Sequence, residues 1–408
     1  MRVRNALIGA AVFTLSVSLT LIIAEIASRA VTAMTRPVER VADNAMYGPD
    51  PALGARPKPG FSDHDARGWR NKEALDRADI VAIGDSQTYG LGGVKENAWP
   101  QQLGSILAQT TYQIAFGGYA PPHFVRLSSE IFSLRPKYVV VGLYFGAQFT
   151  SSYLNVYFRA KDNGIEGLKS NDPEWLKVLS TAHHIDGDWW IRAQFMDCQL
   201  AQYVPDARLL QIKDILSWPP LGPLQYPWIA RNSDFLRRAA SRMPKPSATV
   251  LAAPYCVDFK KDGIEAILTP SYRLINLEPT DPRNLEGERN TVDSIIALKD
   301  EAIRNSAKLV VVLIPTKELA FSELATGLPG EQTTHLRRLW ASEISARSRV
   351  SERLRSNGIA VCDALPSLQS MLRTGSDPYQ GATGDGHPSA SGYRAIAETV
   401  ATEIRSLQ

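Results

Sequence analysis

The sequence predicts an α/β fold: a parallel five-stranded β-sheet with helices on both faces, broken by one long insertion. Three observations lead there. Short, wholly apolar runs such as Ile80–Ile83, Tyr138–Leu143 and Leu309–Ile314 read as strands buried on both sides. Helical patterns separate these runs. Residues 151–284 then interrupt the alternation with five of the chain's eight tryptophans (Trp175, Trp189, Trp190, Trp218 and Trp228) and a proline-rich stretch from Trp218 to Trp228.

The elements follow in chain order. Residues 1–40 read as an N-terminal membrane anchor. Ala6–Ala24 is nineteen residues without a charge, apolar on all sides. At 1.5 Å per residue such a helix just crosses a ~30 Å hydrocarbon layer. Arg2 and Arg4 precede it, as in a signal-anchor, and Arg29, Arg36 and Arg40 follow. Val31-Thr32-Ala33, the one cleavage-like triplet, lies far past the apolar run, so the anchor reads as uncleaved. Large domains translocate regardless of flanking charges, which places the body outside the cytoplasm. Residues 41–78 are an extended lead-in.

Residues 79–150 form the first part of the sheet domain. Strand Ile80–Ile83 ends in Gly84, helix Trp99–Leu107 follows, and Tyr112–Phe116 is the second strand, closed by Gly117-Gly118. Helix Phe124–Leu134 stops at Arg135-Pro136, and Tyr138–Leu143 is the third strand. Residues 151–284 read as a mostly helical cap. Residues 285–408 resume with helix Thr291–Ser306, strand Leu309–Ile314, helix His335–Ser356, strand Ile359–Cys362 and closing helix Ser391–Leu407. Sites in such sheets lie at the carboxyl ends of the strands.

Composition narrows the function. Of 408 residues, 44% are hydrophobic and 21% charged, ordinary values for a chain with a core. Forty-five Lys plus Arg against 42 Asp plus Glu leave a formal charge of +3, too slight and too diffuse for a dedicated nucleic-acid binder. Three cysteines, Cys198, Cys256 and Cys362, are too few for a disulfide scaffold, though Cys198 and Cys256 could pair.

Chemistry concentrates at strand ends. Gly84-Asp85-Ser86-Gln87-Thr88-Tyr89-Gly90 directly follows a buried strand. A serine at such a strand-to-helix turn exposes its hydroxyl above the sheet, and its own N–H can face a developing oxyanion. Serine needs a base, and the candidate is His387, in Gly384-Asp385-Gly386-His387-Pro388. Asp385, two residues upstream, can hold the imidazole N–H and favour the imidazolium. Taken singly, Ser86 would pass for a helix cap and His387 for a surface loop residue; together they read as a Ser…Asp…His triad.

These blocks resemble those of the SGNH/GDSL hydrolases: GDSQTYG first, IAFGGYAPP second, YFGAQF third and DGHPSASGY last. The lead-in Arg67-Gly68-Trp69-Arg70-Asn71 and the phrase Ile314-Pro315-Thr316-Lys317-Glu318 are similar to a membrane-anchored bacterial branch of that superfamily. The resemblance covers about 66–150 and 285–408, with a loose match at Pro270-Ser271-Tyr272-Arg273-Leu274. It implies a flavodoxin-like three-layer α/β/α sandwich, with Ser86 as nucleophile, His387 as base and Asp385 as its orienter. It also implies an oxyanion hole from the N–H of Ser86, the N–H of a second-block glycine (best match Gly118) and a third-block asparagine.

Two departures stand out. Ala147 occupies the asparagine's place and donates nothing; Gln148, next to it, is the candidate replacement donor. Asp-x-His replaces the commoner Asp-x-x-His, a spacing similar to that of relatives that acylate alginate and related exopolysaccharides. The second departure weakens the esterase reading without weakening the triad; the resemblance implies removal of O-acyl groups, acetyl first, from a cell-envelope or secreted glycan, with the body at the periplasmic face of a bacterial inner membrane. The alternatives are an O-acetyltransferase fed by a membrane acyltransferase partner, and a catalytically impaired glycan-binding or assembly protein.

Other residues offer less. His183-His184 have no carboxylate or cysteine nearby in an ordered metal-ligand spacing and read as an exposed polar loop. His123 reads as a hydrogen-bonded loop residue, and Lys317 as site-facing or solvated. Glu25 and Arg29 form an i, i+4 pair. Gly90–Gly93 is not a phosphate loop, because no Gly-Lys-Ser/Thr follows. No metal, nucleotide or other cofactor is expected, nor a nucleic-acid partner.

Overall fold

In this computed structural model the described residues are 46–156 except 51 and 62, 257–328, 332–381 and 385–408, with Ser16 alone before them. Ser16 apart, they fall in one compact unit, 44–199 with 253–408. The expected anchor, the Glu25–Arg29 pair, His183-His184, the five insertion tryptophans, Cys198 and Cys256 lie outside the described residues. No helix among the described residues is long and apolar enough to cross a membrane.

The lead-in is more structured than its expected extended form. Strands β1 (Tyr47–Asp50) and β2 (Gly54–Pro57) pair antiparallel. Asp50 Oδ1 accepts from the N–H groups of Ala52 and Leu53, both at 2.8 Å, closing the turn locally.

The central sheet begins with β3 (Ile80–Gly84), followed by α1 (Ser86–Tyr89) and α2 (Trp99–Leu107). Next come β4 (Thr111–Ala115), α3 (Pro121–Arg126), α4 (Ser128–Ser133), β5 (Tyr138–Tyr144) and α5 (Gln148–Leu154). The hairpin β6 (Val257–Lys261) and β7 (Ile264–Leu268) precedes α6 (Pro270–Leu277) and α7 (Pro282–Arg304). Strand β8 (Lys308–Ile314), α8 (Lys317–Ala320), α9 (Ser322–Ala325) and α10 (Gln332–Ser356) lead to β9 (Ala360–Asp363), α11 (Leu365–Arg373) and α12 (Ala390–Ser406).

The five parallel strands lie in the order β4-β3-β5-β8-β9. Counted within the sheet this is 2-1-3-4-5, a doubly wound order of flavodoxin type. Period-two alternation sends the continuous apolar runs to two cores. Val81, Ile83, Val139, Val141, Val311 and Leu313 face one layer of helices. Ile80, Ala82, Val140, Val312 and Ile314 face the other, packed by Trp99 and by Ile396, Val400 and Ile404 of α12. Both faces are covered, so no polar alternation survives in these strands. Cys362 belongs to this second core, and burial pushes its thiol up to about 12.

Several expected elements change. The helix expected over Phe124–Leu134 is two short helices, broken at Leu127 (φ −86°, ψ 0°). Helix α7 starts at Pro282, capped by Asp281, whose side chain accepts from Arg283 N. The expected domain boundary at 285 therefore falls inside a helix. The described end of the insertion, expected to be mostly helical, is a β-hairpin. Val257, Phe259, Ile264, Ala266 and Leu268 are buried while Asp258 and Glu265 are exposed, a strand's period. Asp262 (φ +51°) and Gly263 (φ +79°) make its tight turn, the Asp-Gly signature of a hairpin. Helix α11 was not anticipated.

Helix α7 crosses α5 at Gly287, where a Cβ would lie 2.1 Å from the main-chain oxygen of Phe149 and 2.6 Å from its carbonyl carbon. Backbone cannot swing aside as a side chain can. Gly287→Ala is expected to lower stability by about 3 kcal/mol, the upper end of overpacking costs, read as a drop in the midpoint of urea unfolding.

Candidate active site

Strand β3 delivers Ser86. The strand ends at Gly84, where a Cβ would lie 2.0 Å from Thr88 Oγ1, so only glycine lets the following helix fold this tightly onto the strand. Asp85 caps that helix, its Oδ1 accepting from Gln87 N at 2.9 Å. Gly90 ends it in left-handed backbone (φ +79°). Ser86 is thus the first residue of a single helical turn at the sheet's carboxyl edge.

The second component lies just before α12. Ser86 Oγ is 2.8 Å from His387 Nε2. His387 Nδ1 lies 2.6 Å from Asp385 Oδ1, and the same oxygen accepts the backbone N–H of His387 at 3.0 Å. The two-residue spacing therefore works as a closed turn in which one carboxylate oxygen sets both backbone and ring. Burial raises the Asp385 carboxyl, but the hydrogen bond and charge of His387, aided by Lys317, outweigh it and hold the group below its ordinary value. The structure brings Ser86, Asp385 and His387 together.

The oxyanion side differs from expectation. Gly118 is exposed, in left-handed backbone (φ +82°). Gly117 abuts the serine: a Cβ there would lie 3.8 Å from Ser86 Cβ. Among the described residues no acceptor takes the N–H of Ser86, Gly117 or Gly118, leaving these donors to a ligand. Gln148 is a correction. Its side chain is buried and its amide nitrogen donates to Asp85 Oδ2 at 2.7 Å and to Tyr119 O at 3.3 Å. Both hydrogens are spent, so the residue braces the first block and does not serve as the third oxyanion donor. Ala147, half-buried, sits at the N-terminus of α5 with no side-chain cap.

Residues that the sequence reading passed over hold this geometry. Arg70, from the Arg67–Asn71 phrase, is buried and donates to the carbonyls of Tyr89 (3.0 Å), Gly90 (2.7 Å) and Gly93 (2.6 Å). The glycine-rich run after the serine is thus an arginine-held loop. Trp69 Nε1 donates to Glu130 Oε1 at 2.6 Å, and Asn71 exchanges hydrogen bonds with the Gln113 backbone. Gln87 Nε2 donates to Gly386 O at 3.2 Å. Lys317, read as site-facing or solvated, is fully buried, because its ammonium donates to Asp385 O at 2.9 Å. His123 lies in α3 and not in a loop: Ala120 N donates to its Nδ1 at 3.0 Å, and its ring stacks on Tyr119 at 4.7 Å. Arg273, from the loosely matched segment, reaches the triad turn; a Cβ on Gly386 would lie 2.9 Å from its Nη2. Among the described residues no group of three or more His, Cys, Asp or Glu could hold a metal ion.

A doubly wound α/β sheet with a Ser–His–Asp line at its carboxyl edge is the arrangement that an activated serine nucleophile requires. Gly84-Asp85-Ser86 after the first sheet strand and Asp385-Gly386-His387-Pro388 before the last helix stand in the order of the SGNH/GDSL blocks that the sequence resembles. No family profile and no curated protein matches the sequence. Similar solved structures include an extracellular lipase from Streptomyces rimosus, at 12% identity and a TM-score of 0.37, covering 81% of this chain and 99% of that one. A catalytic mutant of an acetylxylan esterase from Geobacillus stearothermophilus matches at 9% identity and 0.36, covering 81% and 95%. A GDSL-like lipase from Bacteroides thetaiotaomicron matches at 9% and 0.34, covering 81% and 88%. With scores this low these structures carry no argument, and the resemblance to SGNH/GDSL hydrolases rests on the chain's own blocks.

Asp85 offers a measurable signature. Burial pushes its carboxyl up to about 6, against the pull of the Gln87 N–H, the Gln148 amide and the His387 charge. The ordinary value is 3.8, so between 3.8 and about 6 the folded chain binds a proton that the unfolded chain has released. Asp85 therefore opposes folding increasingly as pH rises through that window, and by a constant amount above it. Asp85→Asn should remove the effect: the new side chain keeps an acceptor for Gln87, and Gln148 can turn its unpartnered Oε1 to the new amide. Urea unfolding is expected to show the variant's advantage growing from near zero at about pH 4 to about 3 kcal/mol at about pH 7. A difference flat across that range would contradict it.

Proposed function

We propose that this chain is a serine esterase that removes O-acyl groups, acetyl in the first place, from a cell-envelope or secreted polysaccharide. Residues 1–40 would anchor it in a bacterial inner membrane with the catalytic body in the periplasm. The contact of Ser86 Oγ with His387 Nε2 at 2.8 Å, continued to Asp385, is the observation that supports catalysis over mere glycan binding.

Each group has a step. His387 Nε2 takes the hydroxyl proton as Ser86 Oγ bonds to the ester carbonyl carbon. The carbonyl oxygen becomes an oxyanion, met by the N–H groups of Ser86 and of Gly117 or Gly118. Asp385 holds Nδ1–H and stabilises the imidazolium. Collapse breaks the bond to the sugar oxygen, which leaves with the Nε2 proton, and an acyl-Ser86 remains. Water then attacks that ester with His387 again as base, releasing the carboxylic acid and restoring Ser86. No step calls on a cofactor.

A second reading keeps the acyl-enzyme and passes the acyl group to a sugar hydroxyl instead of water, with a membrane acyltransferase as donor. The missing third donor at Ala147 and the Asp-x-His spacing favour it, since both set this site apart from the ordinary hydrolase pattern.

Turnover of p-nitrophenyl acetate tests the core claim. Ser86→Ala is expected to lose at least ~10³-fold in kcat; equal rates for the two proteins would remove the hydrolase. On acetylated glycans, acetate in water supports the esterase, and acetate on an acceptor sugar the transferase. Ala147→Asn should restore a donor and raise kcat by ~10-fold, toward the ~10² that one oxyanion contact is worth. No gain would mean another group already fills that position.

A further inference from the structure

The turn Asp385-Gly386-His387 presents two main-chain carbonyls to the protein, and each meets a side-chain donor from a different strand end. Gln87, after β3, donates to Gly386 O at 3.2 Å. Lys317, after β8, donates to Asp385 O at 2.9 Å. The turn's own carboxylate closes it from within, through the N–H and ring of His387. The packing leaves no slack, since a Cβ on Gly386 would lie 2.9 Å from Arg273 Nη2 and 3.2 Å from Tyr144 Oη.

Lys317 is the costly member. Its side chain is fully buried, and burial pulls its pKa down to about 8, against the raising effect of Glu318. Facing its charge are Glu318 on its own helix, Arg273 from α6, Asp385 in the turn and Asp377 after α11. Replacing Lys317 alone would leave the buried Glu318 and the Asp385 carboxylate without its charge, which costs stability. That balance of charge does not call for a hydrogen bond to the triad turn, and the contact with Asp385 O points to a second role.

We propose that Lys317 is a positioning residue: its ammonium clamps the Asp385 carbonyl and, with Gln87 on the next one, fixes the peptide planes that aim His387 Nε2 at Ser86. The inference rests on the serine-hydrolase reading and adds to it a buried residue that touches no substrate. The ammonium also lies near the Asp385 carboxylate and helps keep it ionised, so one side chain sets both the path and the charge of the orienting group.

The test compares wild type, Lys317→Met and Lys317→Gln in p-nitrophenyl acetate kinetics, thermal melting and the downfield proton NMR signal of His387 Nδ1–H. Lys317→Met is expected to lose ~10²-fold in kcat with KM within about twofold, the cost of a small misplacement of a catalytic group. Its melting temperature should fall, because buried carboxylates lose their counter-charge, and the Nδ1–H signal should broaden at temperatures where the variant is still fully folded. Lys317→Gln, which keeps a donor, should recover part of the loss. A kcat within about twofold of wild type, or a loss that follows melting temperature with the signal unmoved, overturns the proposal. If Lys317→Met does not fold, Gln87→Met is read the same way, with a sharp signal and unchanged kcat as the overturning result. The NMR signal needs no turnover. An inert wild type whose signal still broadens in Lys317→Met would sink the esterase and leave the positioning role standing.

Discussion

The site depends on one carboxylate oxygen doing two things. Asp385 Oδ1 accepts the backbone N–H of His387 and faces its ring nitrogen, so the turn's geometry and the imidazole's direction are a single constraint. That economy is available only at a two-residue spacing. With the ring fixed from behind, Nε2 has one direction left, and the fold puts Ser86 there. Loss of the Asp385 contact would free the backbone as well as the ring.

Much of the surrounding polar structure serves this turn and its counterpart at the serine. Arg70, Gln87 and Lys317 all donate to main-chain carbonyls, which carry no sequence-specific signal of their own. Asp85 and Gln148 pair beneath the serine. The phrase at Ile314–Glu318 acts in three directions: Thr316 bonds Glu343, Lys317 holds the triad turn, and Glu318 accepts from Thr269 at the start of α6. Buried groups so arranged cost desolvation, and in return they preorganise the candidate site at the sheet's edge.

Legibility in the sequence followed chemistry of short range. Ser86, Asp385 and His387 were readable because a strand-to-helix turn and a two-residue carboxylate–histidine spacing each have local signatures. The strands were readable because burial on both faces leaves unbroken apolar runs. The β6–β7 hairpin carries its own signal, Asp262-Gly263 between alternating apolar residues, at the end of a segment whose tryptophans and prolines read as a helical cap. Gln148 was misread for another reason. Its amide can donate anywhere within reach, and nothing local says that a carboxylate 63 positions earlier claims it.

By itself the sequence determined the α/β class, the strand positions and the three side chains of the candidate triad, since periodicity and turn chemistry act over a few residues. Only the tertiary structure decided which glycine abuts Ser86, that Gln148 is spent on Asp85, and that Lys317 and Gln87 grip the Asp385–His387 turn. Those are contacts between strand ends brought side by side by the 2-1-3-4-5 order. A buried donor's partner is set by where the sheet places it, and that distance is not written in residue spacing.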